Sequence, residues 1–151
     1  AGPPIFPSGY INNLQIFHNH DTIALMTEMV HDARIIPLDG RQRLPGTIQQ
    51  WRGDGRGHWD GDTLVIETVG LMDDGWLDVR GSPITNNGKI TERFRRPTYG
   101  TLELEETIED SKAYTKPFTA KVFYRFSPDT QLIEFVCLDK DASHYVGSAT
   151  K

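Results

Sequence analysis

Apolar and polar positions alternate along this chain in short runs, and one phrase recurs. It is a turn-forming residue, a threonine, and then an apolar or alternating run rich in strand formers. The phrase occurs as Asp21-Thr22-Ile23-Ala24-Leu25, Asp62-Thr63-Leu64-Val65-Ile66-Glu67, Gly100-Thr101-Leu102-Glu103-Leu104-Glu105 and Asp129-Thr130-Gln131-Leu132-Ile133-Glu134. Each copy follows another strand-like run: Leu14 to His18, Gly57 to Trp59, Ile90 to Arg96 and Lys121 to Phe126. Turn chemistry between two such runs predicts a hairpin. Four hairpins in series predict about eight antiparallel strands. The copies are unevenly spaced, which fits a meander better than a tandem repeat.

A meander of that size leaves two exposed edges unless the sheet closes on itself. The expected fold is therefore all-β, an antiparallel meander closing into a lipocalin-like or calycin-like β-barrel, with a β-sandwich as the alternative. Residues 1–13 read as an extended, proline-broken strap, residues 14–138 as the barrel domain and residues 139–151 as a tail. Two long connections, 38–56 and 70–88, fit no hairpin. Loops of that length in a compact domain are functional, packed covers or disordered. Each carries a tryptophan, Trp51 and Trp76, expected to fold back over the barrel and contribute to ligand binding.

Side chains alternate faces along a strand, so a polar residue in phase with apolar ones points inward. Leu102, Leu104, Glu106 and Ile108 share one phase, which places Glu106 inside. Ile90, Glu92 and Phe94 do the same for Glu92. The stretch from Ile23 to His31 reads as one long strand, with Glu28 in the opposite phase to His31. Two interior carboxylates on neighbouring strands are costly unless paired or protonated, and their pKa values should separate. His31, Arg34 and Tyr124 are the available partners. The outward arginines 93, 95 and 96 should pair with the acidic run from Glu103 across the hairpin.

Composition narrows the function. Sixteen basic and 21 acidic residues give a net charge of −5, which disfavours nucleic-acid binding. No apolar run reaches the roughly 20 residues of a spanning helix. Nucleophile-elbow, P-loop and dinucleotide-binding motifs are absent, and Gly53-Asp54-Gly55-Arg56-Gly57 lacks the helix of a nucleotide loop. His18-Asn19-His20 with Glu28 faintly suggests a cupin ligand set, but the glycine-framed remainder of that motif is missing. His58 reads as a strand-end residue and His144 as part of the tail. No metal and no cofactor is expected. The single cysteine, Cys137, reads as a packed thiol in a strand.

Several phrases together carry a resemblance: Gly9-Tyr10-Ile11-Asn12-Asn13, the run Glu28 to Arg41 (EMVHDARIIPLDGR), His58-Trp59-Asp60-Gly61-Asp62-Thr63-Leu64-Val65, Thr91-Glu92-Arg93-Phe94 and Ala113-Tyr114-Thr115-Lys116-Pro117-Phe118. They resemble the C-terminal domain of a large family of exported bacterial proteins whose function is unknown. The resemblance implies a periplasmic or extracellular setting and an upstream region, which could supply a mate for Cys137. His18-Asn19-His20 departs from the Gln-Thr-Pro-like turn of that family, which speaks against a family-wide metal role.

The leading expectation is a domain that binds an apolar or aromatic small molecule, oriented by Glu28, His31, Arg34, Glu92, Glu106 and Tyr124. A second is a cofactor-free lyase, isomerase or hydrolase, with Glu92 or Glu106 as general base, His31 as acid or shuttle and Arg34 stabilising an anion. A third is an assembly module whose loops and strap dock on a second copy of the chain or on the upstream region.

Overall fold

A computed structural model describes residues 13–28, 32–78 and 80–133. Among them the regular elements are ten β-strands, and neighbouring strands pair antiparallel. Strands β1 (Leu14–His18), β2 (Thr22–Thr27) and β3 (Ala33–Pro37) form one sheet in sequence order. A five-stranded sheet has the order β10-β9-β8-β5-β4, built from β4 (Asp54–Asp60), β5 (Thr63–Val69), β8 (Lys89–Thr98), β9 (Thr101–Glu109) and β10 (Phe118–Arg125). A short ribbon pairs β6 (Gly75–Trp76) with β7 (Pro83–Ile84).

Three of the four expected hairpins form where their turn residues place them. Asn19 closes the β1–β2 turn, its carbonyl side-chain oxygen accepting from the Asp21 amide at 3.0 Å. Gly61 supplies φ +58° in the two-residue loop between β4 and β5. Tyr99-Gly100 links β8 to β9, and the register shifts between Arg95 and Thr98, where Pro97 cannot donate to the ladder.

The remaining expectations need correction. The long first strand stops at Thr27, whose amide donates to the Asp32 carbonyl at 3.2 Å, and the chain returns as β3. Among the described residues the fourth hairpin has no second strand: β10 pairs with β9, as a meander requires, residues 126–133 carry no strand, and the run from Glu134 lies outside them. Most decisively, no sheet closes among the described residues, so the lipocalin-like barrel gives way to two sheets packed on a shared core. That packing is compatible with the sandwich alternative. The strap up to residue 12, Met29 to His31, Cys137 and the tail with His144 lie outside the described residues.

Ile23, Leu25 and Ile36 from the first sheet meet Leu64, Ile66, Phe94 and Leu104 from the second. The sheets approach most closely where β3 crosses β4. A Cβ on Gly55 would stand 2.8 Å from Ile36 Cδ1, and one on Gly57 would stand 2.7 Å from Leu38 Cδ2. This explains the glycine-rich run without a nucleotide: it removes side chains where two sheets must touch. Gly55→Ala combined with Gly57→Ala should cost about 1–3 kcal/mol in urea unfolding, from overpacking. Gly46→Ala, which meets nothing within 4 Å, should stay within about 0.5 kcal/mol of the parent.

The two long connections are packed covers. Segment 70–88 includes the β6–β7 ribbon and buries Leu71, Leu77 and Ile84 against Ile90 and Ile108. Asp110, just after β9, pins it by accepting from the Thr85 amide at 2.7 Å and the Thr85 hydroxyl at 3.1 Å. Segment 38–56 is held by Arg43, which donates to the Asp54 carbonyl at 2.7 Å, and by the Leu44 amide on the Asp54 carboxylate at 2.9 Å. Aliphatic residues and carboxylates do the anchoring, while Trp51 and Trp76 stay 56% and 65% exposed.

Candidate functional site

On the inner face of the large sheet, the alternation of β8 and β9 turns two glutamates into the core. Glu92 lies between Ile90 and Phe94, and Glu106 lies between Leu104 and Ile108. The β8–β9 register sets them directly opposite one another, and both are 0% exposed. Directly opposed residues of an antiparallel pair have Cβ atoms roughly 5 Å apart, so two full charges there would repel strongly.

Arg34 resolves half of that problem. It stands on β3 beside Leu25, in the opposite sheet, and is itself buried. Its Nη1 donates to Glu92 Oε1 at 2.9 Å and its Nη2 to Glu92 Oε2 at 2.7 Å, a two-pronged contact across the layer between the sheets. Nη2 also donates to Thr68 Oγ1 on β5 at 3.3 Å. These three bonds hold the guanidinium on Glu92 and Thr68.

Glu106 has no such partner. Among the described residues neither of its carboxyl oxygens has a hydrogen-bond partner, nor does the buried hydroxyl of Tyr124. Burial, and then the Glu92 carboxylate, push the Glu106 carboxyl from the usual 4.5 up to about 8, against the opposing pull of Arg34. At pH 7 it is predominantly a neutral acid. Burial, then Glu106 and Glu92, also raise the Tyr124 phenol well above its usual range.

Tyr124 belongs to β10, the outermost strand of the large sheet. Its ring is half-buried while its hydroxyl is fully covered, so it reaches inward from the edge. The other residues on that face of β10, Phe118, Ala120 and Val122, are also only partly covered. The layer between the sheets thus runs from the glycine-lined contact at β4, through Arg34–Glu92, to Glu106 and Tyr124 on the more accessible side.

The other residues singled out from sequence go elsewhere. Glu28 is buried but serves as a tether: it accepts from Asn13 Nδ2 at 2.5 Å and from the Ile133 amide at 3.3 Å, tying the chain after β10 to the first sheet. Trp51 and Trp76 are exposed and do not line the cluster. His31 lies outside the described residues. His18 is an exposed β1 residue whose ring centroid is 5.5 Å from that of Trp59, His20 contacts its neighbour Asp21, and His58 is exposed. Among the described residues no group of three or more His, Cys, Asp or Glu converges as a metal site would require. A shallow open depression bordered by Phe17, His18, Asn19, Thr22 and Ala24 lies on the first sheet, apart from the cluster.

On the outer face, the expected β8–β9 charge pairing is redistributed. Arg93 pairs with Asp60 at 2.8 Å, and Lys121 on β10 holds Glu103 and Glu105 at 3.2 and 2.9 Å. Sequence reasoning missed Thr68, Asp54 and Asp110. Thr68 sits in phase with Leu64 and Ile66, which marks it as an inward hydroxyl needing a donor or acceptor. Asp110 directly after a strand, followed by Ser and Lys, is a turn-capping signal: its carboxylate accepts from the Lys112 amide at 3.0 Å.

No protein-family model, curated protein or solved structure matches this chain. Among the described residues no helix is long and apolar enough to cross a membrane.

Proposed function

We propose that this domain binds a small apolar or aromatic molecule in the layer between its two sheets, from the β10 side, with Glu106 and Tyr124 orienting the polar end. One observation carries this reading: three polar atoms, Glu106 Oε1 and Oε2 and Tyr124 Oη, are buried without partners among the described residues. A buried polar atom without a hydrogen bond typically costs 1–3 kcal/mol, so leaving three unpaired is an expensive arrangement for purely structural residues. A ligand that hydrogen-bonds to them recovers that cost, and the surrounding Leu104, Leu102 and Val122 offer apolar contact.

A general-base role is less well served. Glu106 is neutral near pH 7, and both Glu92 oxygens are engaged by Arg34. The exported setting remains a proposal resting on the family resemblance.

The test is a panel of small aromatic and alicyclic compounds screened by thermal shift, with affinities then measured by calorimetry. Tyr124→Phe and Glu106→Leu should each weaken a hit about tenfold, the value of one hydrogen bond in a buried site. Circular dichroism should stay unchanged. Hits whose affinity ignores both substitutions would place the ligand elsewhere and overturn the proposal.

A further inference from the structure

Glu106 and Tyr124 share more than the absence of a partner. Glu106 faces Glu92 across the β8–β9 pair, is fully buried, and receives no bond from the nearby cation, whose guanidinium is held on Glu92 and Thr68. A carboxyl in that position keeps its proton. A protonated carboxyl offers an O–H donor, and so does a phenol. The charged or titratable groups facing Glu106 among the described residues are Arg34 from β3, Glu92 from β8 and Tyr124 from β10. The Arg34–Glu92 pair is internally compensated, so what remains to meet a ligand is two neutral O–H donors and no charged acceptor.

We infer that the group bound between Glu106 and Tyr124 is a hydrogen-bond-accepting oxygen, so that the ligand class is an aromatic or alicyclic carbonyl compound rather than an amine or a hydrocarbon. This rests on the ligand-binding reading above and makes it specific. Two neutral donors in an apolar, water-poor setting are suited to a carbonyl oxygen, because each bond is strengthened by the low local polarity. An ammonium group would find no free acceptor charge there, and a hydrocarbon would leave all three polar atoms unpaired.

Three probes of matched size separate these cases: acetophenone, 1-phenylethylamine and ethylbenzene, each titrated into the full chain by calorimetry at pH 6. Acetophenone should bind at least tenfold more tightly than the other two. Its dissociation constant in the parent protein should rise about tenfold per pH unit above about 8, as Glu106 loses its proton. Glu106→Gln keeps an N–H donor without a titrating proton, so it should bind acetophenone with no such rise. Equal or tighter binding of the amine or the hydrocarbon, weakened by Tyr124→Phe, would overturn the carbonyl assignment while leaving the site in place. Binding of none of the three would overturn the site itself.

Discussion

Arg34→Met is expected to destabilise the domain by about 3–5 kcal/mol, the usual cost of removing one partner from a buried ion pair. The reason is geometric. Arg34 is the group that joins β3 of one sheet to β8 and β5 of the other, and its loss leaves the fully buried Glu92 carboxylate without a cation. For a domain whose total stability is typically about 5–15 kcal/mol, that loss moves the urea midpoint far toward zero. The double substitution Arg34→Met with Glu92→Leu removes both charges and should recover most of the loss, since apolar residues of similar volume replace buried ion pairs well. Urea unfolding of the two proteins at pH 7 checks both statements. A single Arg34→Met variant within about 0.5 kcal/mol of the parent would show that the pair does not hold the sheets together.

The second large effect is a pH dependence belonging to Glu106. Folding raises its pKa from 4.5 to about 8, so between those values the folded protein holds a proton that the unfolded chain has released. The contribution to stability is complete below about pH 4.5 and declines as pH rises to about 8, beyond which it is lost. Integrated over that window, the loss is on the order of 3–5 kcal/mol. Glu106→Gln removes the titrating group and nothing else of that size. The parent and the variant should have similar stability near pH 4.5, and the variant should be the more stable by several kcal/mol at pH 8.5. Histidines and exposed carboxylates titrate in both proteins and cancel in the comparison. Parallel stability curves from pH 4.5 to pH 8.5 would mean that Glu106 is not buried as a neutral acid.

The residues at the centre of the site were legible because alternation in a strand is a strict period. Leu104, Glu106 and Ile108, like Ile90, Glu92 and Phe94, can only share a face, and the observed register agrees. The turn-formers Asp21, Asp62 and Gly100 likewise identified three hairpins, because a hairpin is settled by a few adjacent residues. Partner choice was not legible. Nothing local to Phe118–Arg125 states that it ends as the edge of the sheet, paired with β9 alone among the described strands. On its β9 side, the Asp110 carboxylate caps the turn that follows β9, accepting from the Lys112 and Ala113 amides. Among the described residues no sheet closes. Exposed edges argue for a barrel only when nothing else protects them, whereas here the glycines of β4 let β3 lie against that edge.

The identity of the cation beside Glu92 was also only partly visible. Sequence offered His31, Arg34 and Tyr124 as partners; Arg34 binds Glu92, from a strand that the pattern had merged into its predecessor, and His31 lies outside the described residues. Tyr124 arrives from the far side and stops short of bonding, which no one-dimensional pattern could reveal.

Carbon-13 NMR of the protein labelled at glutamate side-chain carboxyls, with the Glu106 signal assigned by its disappearance in Glu106→Gln, measures the central group directly. The expected result is a resonance that stays at the protonated position through pH 6 and titrates with a midpoint near 8. A midpoint between 4 and 5 would show an ordinary solvated carboxylate. It would remove the neutral donor, and with it the proposed binding site.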